Sequence, residues 1–263
     1  MTPRFEVLPF GRGEAEAAEL PEPVRLTVTA SPTHTLDETV EVGARLRALG
    51  HAVTVHLAAR MLRDEAHLDG LLAAMAEAGI DDAFVVGGDT TPPHGVYASA
   101  VELLPIVHSH PRRPRTLGIA GYPEGHPLID AATLAEALRH KSPLADYVTT
   151  QICFDSQALL DWVRATREAG IELPVVVGIP GAVDRRRLLQ VSVRVGVGPS
   201  LRYLRKQRLR NVLRLSGSSS DRLHDAIAPH LDDPELNLMG FHYFTFNRLL
   251  ATWRWHEGKN AAR

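Results

Sequence analysis

A closed (β/α)8 barrel, the TIM-barrel form of the α/β class, is the fold the sequence predicts, on three observations. Short β-branched apolar runs recur eight times, and between most of them lie stretches of helical periodicity. Glycines close those stretches just ahead of the next strand, as at Gly50-His51, Gly79-Ile80 and Gly170-Ile171. Links that short imply parallel pairing, and 263 residues is the size of one such barrel. Eight strands in this length favour closure over an open doubly wound sheet. One domain spanning 1–263 is expected, with no appended regulatory domain.

The strands fall near 4–9 (RFEVLP), 24–29 (VRLTVT), 52–57 (AVTVHL), 82–87 (DAFVVG), 116–121 (TLGIAG), 147–152 (YVTTQI), 174–179 (PVVVGI) and 241–246 (FHYFTF). Leu36-Asp37-Glu38 opens a helix that ends at Gly50. His67-Leu68 begins another that stops at Gly79, and Ser156 caps a third that ends at Gly170. Segment 10–23 is too short and acidic for a secure helix. Segment 198–235 has room for a basic helix at 200–214 and another after Ser218-Ser219-Ser220.

Composition narrows the function classes. With 44% hydrophobic, 23% charged and 6% aromatic residues, the chain is neither collagen-like nor disordered. One cysteine, Cys153, makes no internal disulfide and is expected to be a small packed side chain. No apolar run is long enough for a membrane helix, and MTPRFEVLPF does not read as a signal peptide, so a cytoplasmic enzyme is expected. The net charge of −2 argues against nucleic acid as the main partner. That total hides an asymmetry, because 185–214 carries ten Lys and Arg residues and no acid. The segment is either a solvated helix or, lying between the last two strands where barrels often bind phosphate, a place for a small polyanion near Arg202, Arg205 and Lys206.

In such barrels the chemistry sits at the C-terminal ends of the strands. There the sequence places Glu6, Thr29, His56, Gly87-Gly88-Asp89, Tyr122-Pro123-Glu124-Gly125-His126, Thr150-Gln151 and Thr245-Phe246-Asn247-Arg248. Nearly every strand delivers a polar side chain to one rim.

Seven segments on those strand ends together resemble the methylenetetrahydrofolate reductase family. FEVLP (5–9) is similar to that family's FEFFP, VHL (55–57) to PHL, and VGGDTTPP (86–93) to RGD-x-PP. YAS (97–99) matches YAS, AGYPEGHP (120–127) resembles A-x-YPE-x-HP, TTQICFD (149–155) resembles TQ-F-F-D, and FHYFTFNR (241–248) resembles FHFYTLNR. The resemblance implies reduction of 5,10-methylenetetrahydrofolate to 5-methyltetrahydrofolate with hydride from NADH or NADPH. It implies Glu6 as general acid, Asp89 as the carboxylate beside the pterin, and Gln151, Tyr122 and Arg248 as substrate contacts. Thr29, His56, Gly88, Tyr97, Ala98, His126 and Lys141 match cofactor-binding positions.

The residues also admit plainer uses. Glu6 could pair with Arg4, Asp89 could cap a turn, and Gln151 could satisfy barrel neighbours. Gly87-Gly88 serves either a tight turn or a close approach of backbone to ligand.

The departures from the family concern its FAD. Gly87 replaces the arginine ahead of Gly-Asp, Leu134 and Ala137 replace an Asp and an Asn, and His140 replaces the arginine before Lys141. Those changes remove charge and hydrogen-bonding groups that a pyrophosphate and sugar hydroxyls need, so they argue against a conventional FAD site and for direct hydride transfer from the nicotinamide. The alternative is a folate-binding protein of the same fold that is non-catalytic or needs a partner. A metal-dependent hydrolase would want His-x-His on the first strand, which Arg4-Phe5-Glu6 does not supply. His108-Ser109-His110 reads as a solvated loop, and no metal site is expected. Trp253 and Trp255 are expected to close the barrel wall or to form a subunit contact in an oligomer.

Overall fold

The computed structural model describes residues 2–182 and 219–261. Eight strands close into a barrel in sequence order, each parallel to its neighbours. They are β1 (Arg4–Val7), β2 (Arg25–Val28), β3 (Ala52–Ala58), β4 (Asp82–Val86), β5 (Thr116–Gly121), β6 (Tyr147–Thr150), β7 (Val175–Pro180) and β8 (Leu238–Phe244). The described helices are α1 (Gly13–Ala18), α2 (Leu36–Ala48), α3 (Glu65–Glu77), α4 (Ala100–Ser109), α5 (Ala131–Lys141), α6 (Ser156–Glu168), α7 (Ser219–Ile227) and α8 (Leu249–Ala261). The basic segment 185–214, with its helix expected at 200–214, lies outside the described residues.

Strand pleating divides the side chains between two cores. On β1, Phe5 and Val7 point outward into the layer between barrel and helices, while Arg4 and Glu6 point inward. The same alternation sends Leu26 and Val28, Val55 and Leu57, and Phe241 and Tyr243 outward. Inside the barrel, Phe84, Tyr147 and Val176 form a small separate apolar layer. Gly118 makes room for it, since a Cβ there would lie 2.3 Å from the Tyr147 ring. Gly118→Ala is therefore expected to cost roughly 1–3 kcal/mol through overpacking, measurable by urea unfolding against the parent protein.

Helix starts are fixed by side-chain caps, each contributing about 1 kcal/mol. Thr35 and Glu38 form a reciprocal capping box on α2, and Asp64, Ser99 and Asp130 cap α3, α4 and α5. Gly50, Gly79 and Gly170 end α2, α3 and α6 in the left-handed conformation, at φ of 94°, 68° and 78°.

Four local expectations need correction. The α6 cap is Asp155 rather than Ser156, because the Asp155 carboxylate accepts from both Gln157 N and Ala158 N. Helix α3 starts at Glu65, two residues before His67, because Asp64 provides the cap. Segment 10–23 does contain a helix, the six-residue α1, which Glu16 and Glu14 tie to Leu250 N and Arg45. His108 and Ser109 end α4 rather than lying in a loop, with the His108 ring against Leu144 O at 3.1 Å.

Trp253 and Trp255 pack half-buried against the main core, and the Trp255 indole donates to Asp221 at 2.9 Å. Cys153 is buried, its thiol 3.0 Å from Gln151 O. Among the described residues no helix is long and apolar enough to cross a membrane.

Candidate active site

A cavity of about 730 Å3 opens at the C-terminal ends of the strands. Ten of the twelve expected site residues line it: Glu6, Thr29, His56, Gly88, Asp89, Ala98, Tyr122, His126, Lys141 and Gln151. Tyr97 and Arg248 are not in its lining. Tyr97 is buried behind the wall, packed into the main core, and Arg248 closes the turn ahead of α8, with its backbone N bonded to Thr245 O at 3.0 Å.

Glu6 is 6% exposed and accepts one hydrogen bond from the Thr29 hydroxyl at 2.9 Å. Burial pushes its pKa up to about 7, against which the Thr29 bond works only weakly. Arg4 is not its partner. The guanidinium pairs instead with Asp82 at 3.3 Å and lies over the Tyr147 ring at 4.0 Å. Thr54 and Tyr147 donate to the same carboxylate at 2.8 and 3.0 Å, so the barrel floor is a closed polar network. Burial outweighs the pull of Arg4 and holds the Asp82 carboxyl above the usual range.

Glu6 binds a proton in the folded chain between its ordinary pKa of 4.5 and about 7, where the unfolded chain has lost it. Its contribution to stability therefore falls as pH rises through that window and stays lowered above it, by about 3 kcal/mol. Glu6→Gln is expected to be more stable than the parent by up to that amount at about pH 8, and no more stable at about pH 4. Urea unfolding at both pH values measures this, and an unchanged difference between them would contradict it.

Two of the histidines lining the cavity, His56 and His242, lie deep in it. Burial drives His56 and His242 down to about 3, so both rings are neutral at physiological pH. His56 packs on Phe84 with centroids 4.8 Å apart, and His242 packs edge-on against Phe244 at 4.9 Å.

Asp89, Tyr122 and His126 form the opposite side. Partial loss of hydration raises Asp89, and His126 and Arg60 oppose that shift. Burial and the Asp89 charge push the Tyr122 phenol up to about 12, and its ring meets His126 edge-on at 5.3 Å. Burial lowers His126. Gly88 turns the chain ahead of Asp89 at φ 84°, with the position of a Cβ 3.0 Å from Ala58 Cβ. The Gln151 side chain folds onto its own loop, accepting from Ile152 N at 2.8 Å.

Lys141 is 6% exposed, and burial lowers its pKa to about 8. Its ammonium lies 3.4 Å from Ala120 O. Ala137 and Leu134 face the cavity one and two turns earlier on the same helix.

Sequence reasoning missed Arg60. It follows β3 in a short 3-10 turn and spans the loop after β4, donating to Thr90 O at 2.7 Å, Thr91 Oγ1 at 3.3 Å and Ala98 O at 3.4 Å. A lone arginine within the small apolar run Leu57-Ala58-Ala59-Arg60-Met61 was the available signal. Among the described residues, no three His, Cys, Asp or Glu side chains come together as a metal site would need.

The family model for methylenetetrahydrofolate reductase matches residues 14–192. Methylenetetrahydrofolate reductase (NADH) 1 of Arabidopsis thaliana is 30% identical over 179 residues, which is 60% of this chain and 30% of that protein. Methylenetetrahydrofolate reductase 2 of Saccharomyces cerevisiae is 28% identical over 123 residues, covering 43% of this chain and 20% of that one. Methylenetetrahydrofolate reductase (NADH) 1 of Zea mays is 28% identical over 166 residues, covering 55% and 28%. The matches thus span about a third or less of those relatives' length, and the family model begins after Glu6 and ends before β8. Since that model covers well over half of its length, the chain belongs to the methylenetetrahydrofolate reductase family.

Proposed function

We propose that residues 1–263 act as one barrel that reduces 5,10-methylenetetrahydrofolate to 5-methyltetrahydrofolate, taking hydride directly from reduced nicotinamide. The observation that carries this reading is the Glu6 carboxyl, buried in the cavity, bonded to Thr29 and kept protonated to about pH 7. In this mechanism Glu6 gives its proton to N10 of the substrate as the bond from N10 to the bridging carbon breaks, leaving an iminium cation on N5. Hydride from C4 of the dihydronicotinamide then attacks that carbon, which becomes the methyl group, and the nicotinamide leaves oxidised. Glu6 regains its proton from solvent.

The surroundings suit a transient cation. Neutral His56 and His242 add no opposing charge, and the Arg4 charge is offset by Asp82. Asp89, across the cavity, supplies the negative partner. Gln151 can turn outward to present both donor and acceptor to the pterin edge. NADH is favoured as the donor because two relatives carry it in their names.

The lining residues do not fit FAD. Its ribose would meet Leu134 and Ala137, its pyrophosphate would find glycine at 87, and Arg60 is already spent on three loop acceptors. A colourless purified protein that oxidises NADH only when methylenetetrahydrofolate is present is the expected result. A yellow protein with stoichiometric FAD would overturn direct transfer, and folate binding with no NADH oxidation would favour the non-catalytic alternative.

A further inference from the structure

The seam between the first and last strands is unusual at the level of Glu6. On the β2 side, β1 pairs through four residues, and Thr29 N continues the ladder to Val7 O at 3.0 Å. On the β8 side the register covers only Arg4 and Phe5, and it stops one residue short of Glu6. Side chains from the turn after β8 replace the missing ladder. The Thr245 hydroxyl donates to Glu6 O at 2.5 Å, Asn247 Oδ1 accepts from Leu8 N at 3.0 Å, and Asn247 Nδ2 donates to Phe10 O.

The backbone is bent to make this possible. Phe246 and Asn247 are consecutive left-handed residues, at φ 50° and 56°. Asparagine tolerates that conformation, but a phenylalanine adopts it only under strain. The bend puts the Phe246 ring in the cavity wall and the Thr245 and Asn247 side chains against β1. Gly13 leaves the space, since a Cβ there would lie 2.5 Å from Asn247 Oδ1. Strain of this kind persists where the surrounding structure overrides it, and here three bonds converge on the strand end that carries the buried carboxyl.

We infer that Thr245 and Asn247 are positioning residues for the reaction, holding the Glu6 backbone so that its carboxyl stays deep and aimed at the substrate. This rests on Glu6 being the general acid. Thr245→Val keeps the shape and removes only the hydroxyl. It is expected to lower kcat roughly 10- to 100-fold, with KM for the folate changed far less. The falling limb of its pH–rate profile is expected to move to lower pH, because a carboxyl that slips toward water holds its proton less well. A residue that merely supports the fold would not move that limb.

Thr245→Ser, which keeps the donor, is expected to restore kcat and the limb to within a few-fold of the parent. Should Thr245→Val fail to fold, Asn247→Asp, which keeps acceptance from Leu8 N but not donation to Phe10 O, is measured for the same two shifts. A folded Thr245→Val, or in its place Asn247→Asp, with parental kcat and an unmoved limb would overturn the inference. Glu6→Gln run alongside separates the two ideas. If that variant keeps its activity the acid assignment itself fails, whereas an inactive Glu6→Gln beside an unaffected Thr245→Val removes only the positioning role.

Discussion

Glu6→Gln is expected to lower kcat about 10²–10⁴-fold, the usual worth of a general acid, while the barrel stays folded. The amide has the size of the carboxyl and can still accept from the Thr29 hydroxyl, so packing and cavity shape are preserved. What it lacks is the proton. Bond cleavage at N10 would then place an uncompensated negative charge on a leaving nitrogen, in a cavity where His56 and His242 are neutral and cannot substitute. The parent should lose activity as pH rises through about 7, where Glu6 ionises, whereas any residual rate of the variant should lack that limb. Steady-state kinetics and a circular-dichroism spectrum check both halves. Activity within a few-fold of the parent would mean that the buried carboxyl is not the acid.

The largest expected effect on stability lies on the barrel floor. Asp82→Ala is expected to destabilise the chain by about 3–5 kcal/mol, because it strands the Arg4 guanidinium without a counter-charge. Arg4 is 5% exposed, so water cannot take over, and Thr54 and Tyr147 lose their acceptor at the same time. The Tyr147 ring still contacts the cation, but a face-on aromatic offsets only about 2 kcal/mol of such a charge. Arg4→Met combined with Asp82→Asn should recover most of the loss, since neither charge remains to be buried. Urea unfolding of the three proteins tests this, and an Asp82→Ala loss below about 1 kcal/mol would show that the network carries little.

The barrel was legible because strand periodicity and helix-ending glycines are local signals. All eight strands lie where the apolar runs put them, with ends differing by a few residues. Caps were less legible, since Asp155 and Ser156 are both good cap residues and only the bonds to Gln157 N and Ala158 N decide between them. For the site, position at a strand end found Glu6, Asp89, Tyr122 and Gln151, all of which meet in one cavity.

The floor network escaped notice although its signal was present. Arg4 stands two residues before Glu6 and must share its face, and Asp82 and Tyr147 open their strands. What no local pattern could give was the pairing. Arg4 had Glu6 as its neighbour in sequence, and it took Asp82, 78 residues away, because parallel closure brings β1 and β4 across the same interior. Thr245 and Asn247 were hidden for the same reason, as their partners on β1 and just after it lie about 240 residues earlier.

In the proposed reaction hydride passes straight from nicotinamide to the folate carbon. NADH carrying deuterium at both C4 positions, turned over anaerobically in ordinary water with methylenetetrahydrofolate and the purified protein, tests it by mass spectrometry of the product. One deuterium in each new methyl group, from protein to which no flavin has been added, is the result direct transfer requires. Deuterium lost to solvent, or product that forms only when FAD is supplied, would contradict it.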